Sequence, residues 1–404
     1  MGIPSSYVII VMLSGIVILS YLFNLLSQKT RIPSVLLLIA TGVGINYFSG
    51  IYGYTYIAVN KLVKILGAIG LIMIVLEAAL DLTVSRKKIS LIRNSFSSAL
   101  VIFVISAVGI GVTIMQWLHV PFESAFLYAI PLSIISSAIV IPSTSHLPVL
   151  KKEFIIYESS FSDILGILLF NYMLMKDVLS LQAGLHFVTN LLLAVLISAL
   201  ATLLLLYILA AATVKTRFFL LFAILSLVYA LGEMIHLPSL LIVLVFGMVL
   251  NNSSLVIKGP FLTKWIKTDK LDGVLDFLKT ITAETSFLIR TFFFIIFGYT
   301  IDLSIFLSNE VWILGSLIVA ILLFVRFLYL KFILKTSLFP ELFLMPRGLV
   351  TILLFYSIPS EKSLGTFNEG ILLFVVVVTS LLMMFGLIFF RKKELPKEST
   401  IEII

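Results

Sequence analysis

Long apolar runs, repeated along almost the whole chain, constrain this sequence more than any other feature. They lie near residues 5–26, 33–50, 62–82, 92–115, 121–146, 154–175, 184–213, 217–236, 238–252, 284–303, 311–334, 339–357 and 368–390, separated by Gly, Pro, Asn or basic clusters. A helix that crosses a bilayer takes about 20 apolar residues, and it satisfies its own backbone where no water can. The runs therefore predict an all-α polytopic membrane protein with about 13 transmembrane helices. Composition agrees, since 61% of the 404 residues are hydrophobic and 12% are charged, about half the charge of a soluble domain. Residues 1–390 read as one membrane domain and 391–404 as a short cytoplasmic tail.

An odd number of spans puts the two ends on opposite sides, and the placement of Lys and Arg says which is where. The connections after odd-numbered spans hold Lys29, Arg31, Arg86, Lys87, Lys88, Arg93, Lys151, Lys152, Lys215, Arg217, Lys258, Lys264, Lys267, Lys270, Lys279 and Lys335, and the tail adds Arg391, Lys392, Lys393 and Lys397. The other side has little beyond Lys61, Lys64, Lys176 and Lys362. The expected orientation is N-terminus out, C-terminus in. The net charge of +8 then reports orientation and not nucleic-acid binding. The longest connection, 253–283, sets Lys264, Lys267 and Lys270 against Trp265, Ile266, Leu271 and Leu275, the pattern of an amphipathic helix on the inner membrane face. With no cysteine the chain has no disulfide framework, thiolate metal site or cysteine nucleophile. Its start, MGIPSS, lacks the basic region of a secretory signal.

A faint repeat adds architecture. IVLEAALDLTV at 74–84 and IIFGYTIDLSI at 295–305 align without gaps, seven spans apart, so the copies point in opposite directions. Inverted repeats place a transporter's binding site where the copies meet. The same offset pairs span 5 with span 12. Span 5 has Pro131 and Pro142 around SIISSAIVIPSTS, and span 12 has Pro346, Arg347, Gly348 and Pro359. Proline removes a helical hydrogen bond, and backbone freed at membrane depth is tolerated only inside a protein-lined cavity. Inverted-topology repeats with two discontinuous, crossing helices are expected, with an ion site between them.

Ionisable groups at membrane depth are costly and are read as functional by default. Span 6 carries ESSFSD at 158–163, with Glu158 to Ser162 at i,i+4 and Ser159 and Asp163 likewise on one side. At about 1.5 Å per residue, Glu158 lies one turn in from the inner end and Asp163 near mid-bilayer. Arg326 of span 11 lies close to the depth of Glu158, and a buried Arg requires an anion. That pairing leaves Asp163 as a carboxylate without a fixed counter-ion, suited to take up a proton or a small cation. Hydroxyls of Ser159, Ser162, Ser136 and Ser137, with carbonyls from the broken span 5, are hard oxygen ligands for an alkali ion, and direct ion contact by Glu158 is the lesser reading beside its pairing with Arg326. Glu77 and Asp81 lie near a cytoplasmic helix end, where an interfacial role stands beside one in the ion path, and Arg290 lies toward the inner end of span 10, where an interfacial role is favoured. Glu233, His119, His146, His186 and His236 fall at helix ends, where solvated or capping roles outweigh pH sensing.

These motifs together resemble the monovalent cation:proton antiporter superfamily, the sodium/proton exchangers, over nearly the whole chain. RIPSVLLLIATGVGIN at 31–46, VLEAALDL at 75–82, ESSFSD, LPSLLIVLVFGMVLNN at 237–252, TFFFIIFGYTIDL at 291–303 and PRGLV at 346–350 are each similar to a family pattern, in the family's order. The resemblance implies that Asp163 is the residue that carries Na+ or H+, that Glu158 and Arg326 form a core ion pair, and that Arg347 is the arginine of the twelfth helix. Two departures bear on ion affinity and selectivity. Ser162 stands where the family has Asn or Asp, and Ile135, Ser136 and Ser137 replace Thr-Asp-Pro or Thr-Ser-Pro.

The implied function is sodium/proton antiport, with lithium a further substrate, in which cation and proton compete for Asp163 and a loaded core moves against a scaffold. One carboxylate neutralised by one positive charge in either state implies electroneutral, one-for-one exchange. A second aspartate at 162, or a lysine in place of Arg326, would have allowed another proton. A potassium/proton exchanger of the same fold is the nearest alternative, and a cation channel the alternative of another class. No enzyme activity and no cofactor are expected beyond the transported Na+ and H+. The remaining expectations are a multi-pass plasma-membrane location and, from the resemblance, a homodimer.

Overall fold

The computed structural model describes residues 6–51, 59–85, 88–144, 147–175, 180–211, 217–234, 237, 239–253, 272–301, 304 and 308–390. Fourteen α-helices lie within them: α1 (Ser6–Thr30), α2 (Ser34–Ile51), α3 (Val59–Asp81), α4 (Ile89–Leu118), α5 (Phe122–Ser133), α6 (Ser137–Ser143) and α7 (Val149–Leu174), then α8 (Leu181–Ala211), α9 (Arg217–Met234), α10 (Ser239–Asn251), α11 (Asp272–Thr300), α12 (Asn309–Leu328), α13 (Leu349–Tyr356) and α14 (Gly370–Phe389). Each of the thirteen apolar runs contains one of these helices, with α5 and α6 sharing the fifth. Seven of the described helical segments are long and apolar enough to cross a membrane, α5 and α6 counting as one, and three shorter ones are equally apolar. Proline sets several starts. Pro33, Pro121 and Pro148 stand immediately before α2, α5 and α7, where a missing N–H costs nothing.

The helices pack in two sets. In the first, α2 and α3 lie against α11, α10 lies against α3, α8 and α9, and α1 lies against α2 and α11. In the second, α4 packs on α5, α7 and α12; α7 on α5 and α6; α12 on α14; and α13 on α5. The sets meet where α13 touches α3 and α10 touches α7. Glycine permits the closest crossing of the first set: a Cβ on Gly42 would run into the backbone of Ile295, Gly298 and Tyr299, and one on Gly298 into the backbone of Ile39. Small residues are what lets apolar helices pack when lipid is as apolar as they are. On α8, Leu185, Val188, Leu192, Leu196 and Leu200 form an exposed stripe at helical spacing, a face suited to lipid.

Three features depart from the boundaries read in the sequence. The helix of the tenth run starts at Asp272 and not near 284, so residues 272–283, Leu275 included, continue into α11; the lysines and Trp265 of the expected surface helix lie outside the described residues. The twelfth run is α-helical only from Leu349. Pro340 and Pro346 precede it, each lacking an amide and biasing its predecessor away from the helical region, and only a 3₁₀ turn at Glu341–Phe343 forms between them. The eleventh run closes with a π-helical turn, Tyr329–Leu334, immediately after α12. The two repeat copies end α3 and α11, which pack together, although residues 302, 303 and 305 of the second copy are not among those described.

Between α1 and α2, Arg31 takes a left-handed conformation with φ 63°, uncommon outside glycine. Its Nη1 donates to the carbonyls of Leu387 at 2.6 Å, Ile388 at 3.1 Å and Phe390 at 3.2 Å. A cation on the unsatisfied carbonyls of a helix C-terminus is favourable. Arg31 thereby ties the first packed set to the end of α14.

Candidate ion-binding site

The two interrupted segments meet. Pro131 lies in the last turn of α5, Ile134 and Ser136 are extended, and α6 resumes at Ser137. The Ser136 N–H donates across to the Pro346 carbonyl at 2.9 Å, joining this break to the non-helical stretch before α13. Gly348 allows the approach, because a Cβ there would press on the Ser136 hydroxyl and Ile139.

A break leaves one helix end with bare carbonyls and the next with bare amides, and a charged side chain faces each. Arg347, 1% exposed, covers the end of α5. Its Nε donates to the Leu132 carbonyl at 2.9 Å and its Nη2 to that of Ser133 at 3.3 Å. Nη1 reaches the Met345 carbonyl. Asp163 of α7 faces the start of α6, where its Oδ2 accepts the Ser137 N–H at 3.2 Å. Cation at the C-terminal end and anion at the N-terminal end is the arrangement that the helix dipoles favour.

Asp163 is 5% exposed, and its Oδ1 has no hydrogen-bond partner among the described residues. It lines a cavity of about 20 Å³ with Ser160 and with apolar side chains of α3, α7 and α10, among them Ala78 and Leu241. That volume holds about one water-sized species. The Ser160 hydroxyl is also buried without a partner among the described residues. Two unsatisfied oxygens at one small cavity are what a bound cation or a proton would satisfy.

Glu158 is fully engaged elsewhere. Arg326 Nη1 and Nη2 reach its two oxygens at 3.1 and 2.8 Å, and the Ser98 hydroxyl donates to Oε1 at 2.5 Å. Arg326 Nε donates to the Glu341 carbonyl at 2.7 Å, and neither partner of the pair is more than 1% exposed. This bidentate geometry is the strong form of the ion pair. Of the serines expected as ligands, Ser162 accepts the Ile135 N–H at 2.9 Å and braces the break, while Ser159 donates to the Ile156 carbonyl of its own helix at 3.2 Å. Ser136 has a buried hydroxyl without a partner among the described residues at the crossing, and Ser137 meets Asp163 through its amide and also with its hydroxyl.

Sequence reasoning passed over Ser160, although its i,i+3 spacing to Asp163 carried the signal. It also placed Arg290 at an interface. In the structure Arg290 reaches the Glu77 carboxylate at 3.3 Å and the Ala138 carbonyl of α6 at 3.1 Å. Asp81 lies at the exposed end of α3. His119 caps the end of α4, and His186 lies in the first turns of α8. His146, His236 and the Glu233 side chain are outside the described residues.

Apolar helices fold two broken segments around a buried aspartate, an arrangement suited to a membrane transporter, and the members of the family that the chain matches are transporters and not enzymes. The chain belongs to the sodium/hydrogen exchanger family, whose transmembrane model matches residues 14–391. No curated protein sequence matches it. Among solved structures it is similar to that of the sodium proton antiporter MjNhaP1 from Methanocaldococcus jannaschii at pH 8, with a TM-score of 0.70 and 19% identity over 95% of this chain and 98% of that one. A three-dimensional electron-microscopy map of the same antiporter gives a TM-score of 0.69 at 19% identity, over 95% of each chain. At that identity the likeness concerns the fold.

Proposed function

We propose that the protein exchanges sodium for protons one for one, with cation and proton competing for Asp163 as the second helix set moves against the first. The observation that carries this reading is the division of labour on α7. Glu158 is neutralised by Arg326, whereas Asp163 holds one backbone amide and keeps an oxygen free at a one-ion cavity. A proton or a sodium ion on Asp163 neutralises it equally, so both loaded forms carry the same charge, and a bare carboxylate in the bilayer interior is costly to move. Loaded forms therefore cross and the empty form does not, which couples the two fluxes. Ser160, rather than Ser159 or Ser162, is the serine hydroxyl best placed to join Asp163 as an ion ligand.

Sodium is preferred as the substrate because the family is that of sodium/hydrogen exchangers and a solved structure of similar fold is a sodium proton antiporter; lithium fits the same oxygen ligands, and potassium exchange is the second reading. The orientation is N-terminus out, in a plasma membrane, as a homodimer. In proteoliposomes loaded with a pH-sensitive dye, adding sodium outside should collapse an imposed pH gradient, and Asp163→Asn should abolish the response. Full cation-driven proton movement in Asp163→Asn would overturn the mechanism, and a response to potassium alone would move the substrate to the second reading.

A further inference from the structure

Arg290 projects from α11, in the first helix set, and donates to the carbonyl of Ala138 in α6, in the second, at 3.1 Å. Ala138 directly follows Ser137, whose amide faces Asp163 at 3.2 Å. Glu77 of α3 holds the other arm of the guanidinium at 3.3 Å, with the two side chains 13% and 18% exposed. Arg290, Glu77 and Ala138 line a cavity of about 200 Å³ bounded by α1, α2, α3, α6 and α11, whose further polar lining is Tyr21, Asn24, Ser34, Glu284 and Thr291. A guanidinium presents several donors in a fixed fork, so one side chain can grip a carboxylate and a carbonyl together. Nothing in the ion pair or at the break itself requires this link.

We propose that Arg290, braced by Glu77, is a positioning residue of the ion site: by holding the Ala138 carbonyl it keeps the Ser137 amide aimed at Asp163. The inference deepens the transport reading and rests on it for its effect on ions, but the clasp itself is tested independently. Because the two side chains act as one unit, removing either should loosen α6, and removing both should do no more than removing Arg290 alone.

The test is hydrogen exchange by mass spectrometry on the purified full chain, paired with sodium-driven exchange in proteoliposomes. Arg290→Ala should raise amide exchange across 134–143 at least fivefold, Glu77→Gln should raise it less, and Arg290→Lys should restore most of the protection. In vesicles, Arg290→Ala should raise the KM for sodium about tenfold with kcat within twofold of the parent. Should Arg290→Ala fail to fold, Glu77→Gln and Arg290→Lys carry the same comparison. Unchanged exchange across 134–143 would overturn the clasp, and raised exchange with an unchanged KM would overturn its role in the ion site. A parent protein without any sodium-driven exchange overturns the transport reading, while the hydrogen-exchange arm still decides the clasp.

Discussion

Two fully buried arginines, Arg326 and Arg347, do different jobs. Arg326 is paired with a carboxylate, so removing it strands Glu158 without a counter-charge in a dry site. Breaking one side of a buried pair costs about 3–5 kcal/mol, whereas replacing both partners with well-packed apolar residues is often neutral. Arg326→Ala should therefore lower stability by about that amount in a detergent thermal melt, and the double variant Glu158→Leu/Arg326→Met should lie much closer to the parent. Arg347 has carbonyls and no carboxylate as partners, so its loss leaves helix-end acceptors bare and no charge stranded. Arg347→Gln should accordingly cost less than Arg326→Ala in the same melt, on the order of 1–2 kcal/mol. An Arg347→Gln variant as unstable as Arg326→Ala would mean that its role has been misread.

The helix crossings explain which sequence patterns could be read and which could not. Gly42 and Gly298 belong to two motifs that look unrelated in the chain, yet each is small because backbone of the facing helix lies against it, that of 295–299 on Gly42 and that of Ile39 on Gly298. Gly298→Leu should destabilise by about 1–3 kcal/mol or more, as overpacking does, while Gly15→Leu, at a site with nothing within 4 Å, should be near neutral. Equal melting temperatures for the two variants would refute the crossing. The apolar runs and the depths of Glu158 and Arg326 were legible because helical rise converts residue number into height. The start of α11 was not, because residues 272–283 are polar enough to look like a connection. The partners of Arg290 could not be read for another reason: they lie 213 and 152 residues away, and no local pattern encodes such a meeting. Ser159, Ser160 and Ser162 could not be ranked without knowing which hydroxyls the local backbone already occupies.

At the scale of the whole molecule, the two helix sets touch along few elements, and the Asp163 cavity proposed as the ion site is lined from both, by α7 and by α3 and α10. If each half-cycle carries a single positive charge against one carboxylate, no net charge crosses per turnover. A net elementary charge would couple to membrane potential at about 2.3 kcal/mol per 100 mV, a bias of about 50-fold. The initial rate of sodium-driven proton movement should instead change less than twofold between 0 and −100 mV set with potassium and valinomycin. A steep voltage dependence would refute one-for-one exchange. One link between the sets lies away from the ion: Arg31, in the turn after α1, closes the final carbonyls of α14. The last turn of α14 is therefore a mechanical joint. A fluorescent protein or surface tether fused beyond it would load that joint directly, so reporters meant to observe the transport cycle without altering it belong on other loops.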